Sequence, residues 1–242
     1  MKRFVVVPDL HGDHHDPKTV SVIKQYISDY RPEYRICLGD VFDLRNLRKG
    51  CSQDEKAQDM RQDVEDGMRL LEEFKFTHCT LGNHDQRLWD EAKNGTGLIQ
   101  EYCQMGADKI EAVFRKHGTE WVPYEIDKNI EIGNAFFTHG FRANLHAAKA
   151  TAEDFAKKGR TIFFGHTHSV SEYKSVSGCT AYNIGCCCNL RPEYALRRPN
   201  TLRWEHCFAA GEIHEDGRVV TWIFRPKNGK WTCVTQTKEY TS

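Results

Sequence analysis

Short apolar runs rich in β-branched and aromatic residues alternate, through the first two thirds of the chain, with stretches whose apolar positions recur every three or four residues. Residues 3–8 open with a run of the first kind. Asp16-Pro17 then reads as a helix cap followed by proline at the first helical position, and Val20, Ile23, Ile27 and Tyr30 follow at helical spacing, which predicts a helix over Pro17–Tyr30. Residues 35–38 form a second strand, Met60, Val64, Leu71 and Phe74 mark a long second helix, and residues 77–81 a third strand. Residues 86–117 are again helical, interrupted at Asn94-Gly95, and have the look of an insertion that could shape a substrate rim. Residues 130–139 predict a hairpin around Gly133-Asn134, residues 144–158 an Ala-rich helix ended by Gly159, and Thr161–Phe164 a further strand. The remainder, with turns at Asp216-Gly217 and Asn228-Gly229, reads as mostly antiparallel β. Strands joined by crossover helices indicate an α/β fold.

Composition narrows this picture. A length of 242 residues without a Pro-, Gly- or Ser-rich linker suits one domain over residues 1–242, containing the helical insertion and a β-rich segment at about 204–237. Lys+Arg and Asp+Glu balance at 34 each, so the molecule as a whole does not attract polyanions and any nucleic-acid binding must be local. The opening apolar run is too short for an export signal and no stretch suits a membrane span, so the expectation is a cytoplasmic protein without a membrane partner. Ten cysteines in such a chain read as reduced thiols. Cys186-Cys187-Cys188 reads as packing rather than a metal site, because neighbours on a strand face opposite ways and no Cys-x-x-Cys pair exists.

The chemistry lies just beyond the strands: Asp9-Leu10-His11-Gly12, Gly39-Asp40-Val41-Phe42-Asp43, Gly82-Asn83-His84-Asp85, His139-Gly140 and Gly165-His166-Thr167-His168. In open α/β sheets, sites form where strand ends and their loops converge. The donors are all nitrogen and oxygen, which suits manganese first, with iron, zinc or nickel as alternatives. Two such cations about 3.5–4 Å apart can clamp a phosphoryl group and lower the pKa of water.

This motif series resembles that of the calcineurin-like metallophosphoesterases, from Phe4 to about Asn183-Ile184-Gly185, where Cys186 stands in place of the usual small residue. The resemblance implies a four-layer αββα sandwich, with two mixed β-sheets flanked by helices. It implies that Asp9, His11 and His168 bind one divalent metal ion, Asn83, His139 and His166 the other, and that Asp40 bridges them. His84 would protonate the leaving group, with Asp85 orienting its ring and Asp43 supporting ligands without being one. The implied reaction is in-line attack on a phosphate ester by a metal-bridging hydroxide.

Leu81 and Asp85 depart from the protein phosphatases of the superfamily, and His84 stands where lipid A precursor hydrolases carry arginine. The motifs look more like those of phosphodiesterases and repair nucleases. The reading is therefore a phosphodiesterase, with nucleic acid or nucleotide as candidate substrate. A phosphomonoesterase and a catalytically silent scaffold are the alternatives. Arg45 and Arg48, after the second motif, and Arg191 and Arg197, after Cys188, are candidate substrate contacts, with Tyr194 and Trp204 as possible stacking partners. His14 and His15 could line the pocket but read as solvated.

Overall fold

The computed structural model describes residues 1–57, 59–192 and 199–233. In chain order its strands and helices are β1 (Lys2–Val7), α1 (Pro17–Tyr30), β2 (Tyr34–Cys37), α2 (Gln53–Ala57), α3 (Arg61–Phe74), β3 (His78–Thr80), α4 (Gln86–Asn94), α5 (Gly97–His117), β4 (Glu120–Val122), β5 (Ile130–Ile132), β6 (Ala135–Phe137), α6 (Ala147–Asp154), β7 (Thr161–Phe164), β8 (Val170–Lys174), β9 (Thr180–Ile184), β10 (Phe208–Ile213) and β11 (Val219–Phe224).

The strands form two mixed sheets, ordered β11-β10-β1-β2-β3-β4 and β5-β6-β7-β9-β8. Strands β1 to β4 run parallel, and β10 lies antiparallel beside β1. In the second sheet β6, β7 and β9 are parallel, while β5 and β8 are antiparallel edges. The β1 sequence explains the layering. Phe4 and Val6 face the second sheet and pack with Phe137, Phe163 and Ile184. Val5 and Val7 face the other way, into a cluster with Ile23 and Tyr26 of α1 and Leu70, Leu71 and Phe74 of α3. A strand buried on both faces needs apolar residues at every position, so this run shows no alternation. On the far side α6 lays Ala147, Ala148 and Ala152 against Phe136, Ile162 and Phe164. The result is the expected helix–sheet–sheet–helix sandwich.

Helix α1 starts where Asp16 accepts the Thr19 N–H at 2.7 Å, a cap contributing about 1 kcal/mol. The Asp16 N–H donates to Cys187 O, fastening that start to the segment after β9. The pattern over 86–117 resolves into α4 and α5, broken where anticipated. Helix α6 is shorter than residues 144–158. Asn144 Oδ1 accepts the His146 N–H, holding a turn ahead of the helix, and Phe155 leaves it to pack on Phe136. Gly159, at φ +77°, therefore shapes a loop rather than a cap. The later β segment is less uniformly antiparallel than its sequence suggests, because β9 pairs parallel with β7. Within residues 204–237, β10 and β11 form a hairpin, and residues 234–237 lie outside the described part. Among the described residues no helix is long and apolar enough to cross a membrane.

Candidate metal centre

Because the two sheets face each other, the ends of β1, β2 and β3 meet those of β6 and β7. Asp9, Asp40 and Asn83 follow the first three strands, and His139, His166 and His168 follow the other two. Turning each chain sharply at this edge requires unusual backbone. Among the described residues, five of the nine non-glycine residues with positive φ are Asp9, His11, Asp40, His166 and His168. Backbone of this kind is held against its local preference and clusters at functional sites. Glycine is required beside it, since a Cβ on Gly82 would collide with Asp40 and one on Gly165 with Asp9.

The side chains converge on two points. At one, His168 Nε2 lies 3.1 Å from His11 Nε2 and 3.2 Å from Asp9 Oδ1. At the other, His139 Nε2 lies 3.0 Å from Asn83 Oδ1 and 3.2 Å from His166 Nδ1. Asp40 Oδ2 stands between them, 3.7 Å from His11 Nε2 and 3.4 Å from His139 Nε2. Ligands about 2.0–2.1 Å from a common ion are separated by roughly 2.8–3.0 Å in octahedral and roughly 3.3–3.4 Å in tetrahedral arrangements. The spacings fit that requirement except for the longer one of 3.7 Å between His11 and Asp40, and pairs of imidazole nitrogens aimed at one another are readily explained by a shared cation. Two groups, Asp40–His139–His166 and His11–Asp40–His84, have donor atoms within 4.8 Å of one another. A third, His11–His168–Cys188, includes a thiol that the sequence reading assigned to packing.

Supporting contacts fix these rings. His139 Nδ1 donates to Leu38 O at 2.7 Å, and His11 Nδ1 donates to Asp43 Oδ1 at 3.0 Å. His84 Nδ1 lies 2.7 Å from Asp43 O and 3.0 Å from Asp43 Oδ1. Asp43, not Asp85, therefore orients His84. The Asp85 carboxylate instead accepts the N–H groups of Phe42 at 2.9 Å and Gly82 at 2.9 Å, tying the second and third motifs together. Asp63, at the start of α3, was not singled out in the sequence. It accepts the N–H groups of Asp43 at 2.9 Å and Leu44 at 2.7 Å, and so holds the Asp43 loop from beneath.

Burial disfavours charge throughout, and partners decide the outcome. Asp40 is held well below the usual carboxylate range because His139, His84 and His11 outweigh its burial. His139 is pushed up to about 10, against burial, by Asp40. Burial and the charge of His139 pull His166 down to about 4. His11 is raised, burial being outweighed by Asp43 and Asp40. Burial and the charge of Asp40 raise Asp85 to about 6. An anionic Asp40 thus sits between His139 and His11, whose protonated forms it favours, so protons and a metal ion would compete for those nitrogens.

The centre opens into a cavity of about 160 Å³, lined by His11, Asp40, Asp43, Asn83, His84, His166 and His168 together with Arg45, Arg48, Arg87 and Trp204. Arg45 is held bidentately by Asp13, at 3.0 Å and through a second contact of 2.6 Å, and also reaches Asp43 Oδ2 at 3.1 Å. Arg48 and Trp204 line the cavity, whereas Arg191 is exposed and outside the lining. Arg197 and Tyr194 lie outside the described residues. Arg87 was missed. It donates to Asp43 O at 3.1 Å, and its place one helical turn after His84 was the available signal. His14 and His15 are half-buried rather than solvated, with His15 Nδ1 2.6 Å from Gly12 O.

Several known proteins share features with this chain. Gene 54 protein of Mycobacterium phage L5 is 26% identical over 182 residues, 69% of each chain. A zinc-complexed Vps29 from Entamoeba histolytica is 14% identical with a TM-score of 0.49, covering 96% of this chain and 97% of that one. A dimetal phosphatase from Danio rerio is 10% identical with a TM-score of 0.46, covering 91% and 98%. The sequence pattern of calcineurin-like phosphoesterases matches residues 2–170, more than two thirds of the chain and all five strand-end motifs up to His168. The chain belongs to the calcineurin-like phosphoesterase family.

Proposed function

We propose that the chain hydrolyses phosphodiesters, with a nucleic acid or nucleotide diester as substrate class. Asp9, His11 and His168 would hold one divalent ion, Asn83, His139 and His166 the other, and Asp40 both, a mixed nitrogen and oxygen donor set for which we favour manganese. Bound ions of this kind supply Lewis-acid polarisation of the phosphoryl oxygens and a lowered pKa for water.

The observation that carries the diester reading is a row of rings across the cavity. Trp204 stands 4.2 Å from His168, His168 is 4.9 Å from His11, and His11 is 4.7 Å from His84, measured between ring centroids. A phosphate over the middle of this row has a recognition surface at both ends. A diester has a substituent for each, and a monoester for only one. At the His84 end, the ring held by Asp43 gives its Nε2 proton to the departing alkoxide as the P–O bond breaks and the oxygen of water bonds to phosphorus. Arg87 and Arg48 stand beside that end to meet phosphate charge. At the other end Trp204 offers a flat face to a base or sugar.

The test is hydrolysis of bis-p-nitrophenyl phosphate against p-nitrophenyl phosphate, after metal removal and manganese restoration, with Asp40→Asn as control. Diester preference that disappears in Asp40→Asn is expected. Monoester preference would overturn the diester reading, and no turnover by folded protein with any metal would favour a scaffold.

A further inference from the structure

His168 raises a question that its metal-facing side does not answer. Its Nε2 points at His11 and Asp9. If that nitrogen gives its lone pair to an ion, the proton of the neutral ring must sit on Nδ1, where it needs an acceptor. In metal sites the acceptor is normally a carboxylate, a backbone carbonyl or water, and it fixes both the tautomer and the ring angle. The carbonyl of Leu38 does this for His139 and the carboxylate of Asp43 for His11. At His168 Nδ1, among the described residues, the group in reach is the Cys188 sulfur, 3.7 Å away.

Cys188 is held there on several sides. It forms an antiparallel bridge with His15 in the turn after the first motif. The next residue, Asn189, donates its N–H to His14 O at 2.7 Å, and His206 Nε2 donates to Cys188 O at 2.9 Å. Cys188 is 3% exposed. Trp204 covers the His168 ring, with its centroid 4.2 Å away. The backbone pins fix where the sulfur sits, and the sulfur in turn faces the ring.

We propose that Cys188 is a positioning residue whose sulfur accepts the Nδ1–H of His168 and so presents Nε2 to the metal. This rests on the reading of Asp9, His11 and His168 as metal-holding residues. It gives the last member of the Cys186-Cys187-Cys188 run a task distinct from Cys187, which packs in the core. It also makes the two sites unequal, since a sulfur backs His168 in one and the Leu38 carbonyl backs His139 in the other.

The experiment is calorimetric titration of metal-free wild type, Cys188→Ala and Cys188→Ser with cobalt(II), with absorption spectra of the loaded proteins. Alanine should weaken one of two binding events by about ten- to hundredfold, the usual effect of losing such a partner, and leave the other within about twofold. Serine, which restores an acceptor, should recover most of the loss. The loaded wild type should show no sulfur-to-cobalt charge-transfer band. Nitrogen-15 NMR of zinc-loaded wild type should show His168 protonated at Nδ1, which keeps the test available should Cys188→Ala not fold. Unchanged affinity in alanine, equal weakening of both events, a thiolate band or a bare Nδ1 would each overturn the proposal. Failure of wild type to bind two ions would instead overturn the metal-centre reading on which it stands.

Discussion

Asp43→Asn tests the role proposed for His84 as proton donor. Asp43 Oδ1 lies 3.0 Å from His11 Nδ1 and 3.0 Å from His84 Nδ1, while Oδ2 lies 3.1 Å from Arg45. An amide has one oxygen to share among these donors. If it faces the imidazoles, its amino group meets the guanidinium. If it is reversed, two ring N–H groups meet an amino group. Either orientation sets donor against donor and takes a charged partner away from the His84 ring, whose Nδ1 keeps its contact with the backbone carbonyl of residue 43. A hydrogen bond to a charged group is worth about 1.5–3 kcal/mol, or about ten- to hundredfold in rate if it acts on the proton-transfer step. The assay is kcat at saturating manganese, with metal content checked because His11 is also affected. Two diesters are compared: bis-p-nitrophenyl phosphate, whose leaving group departs without help, and a dinucleotide, whose alkoxide needs a proton. The loss should reach about ten- to hundredfold on the dinucleotide and only a few-fold on the aryl ester. Equal losses on both, or none on the dinucleotide, would refute the role given to the Asp43–His84 pair.

Arg87→Ala should raise KM for the dinucleotide by about tenfold, the lower end for losing a charged contact, and an unchanged KM in steady-state assays would exclude it from phosphate binding. Trp204→Ala should lower kcat/KM for a dinucleotide by about fivefold to a hundredfold, matching a stacking contribution of about 1–3 kcal/mol. It should spare a methyl ester that lacks the base, and equal losses would remove the stacking role. Gly165→Ala forces its Cβ against Asp9 and should cost about 1–3 kcal/mol, so an unchanged melting temperature would contradict that contact. Asp63 gives a pH prediction. Burial and the charges of Asp43 and Asp13 raise its carboxyl to about 6 from 3.8, despite two N–H bonds that favour ionisation. Ionisation is then easier in the unfolded chain, so this group's contribution to stability is present below about pH 4 and is lost as pH rises to about 6. The shift corresponds to roughly 3 kcal/mol. Wild-type stability relative to Asp63→Asn should fall by up to that amount across this window in denaturant titrations, and a flat difference would refute it.

Much of the architecture was legible because its signals are local. Asp16-Pro17 marks the start of α1 through a cap bond within one turn, and the apolar spacing to Tyr30 covers the rest. The strand-end motifs are legible for the same reason, since each packs its donors into a few residues after a strand. Long-range partnerships were less so. The hairpin of β10 and β11 joins the first sheet beside β1, a pairing separated by more than 200 residues that no local pattern announces. Helix α6 was read too long because alanine-rich composition speaks for helix, whereas the contact that ends it is between Phe155 and Phe136 on the neighbouring strand.

The assignment of Asp85 shows this limit within the site itself. It adjoins His84, and adjacency suggested a pair. Yet Asp85 already has helical backbone, at φ −58° and ψ −45°, where α4 begins. Successive side chains on a helix diverge by about 100°, so a residue next to His84 is poorly placed to support its ring. The supporting carboxylate comes from Asp43, in a loop after a different strand. The same periodicity brings Arg87 round to the face of His84, where its guanidinium is 3.3 Å from His84 Nδ1 and bonded to Asp43 O. The helix that turns Asp85 away therefore also delivers the arginine. In a site made of strand ends, the residues that move protons or meet charge are selected by which loops face one another across the sheets, and sequence neighbours are useful only once the local backbone is known.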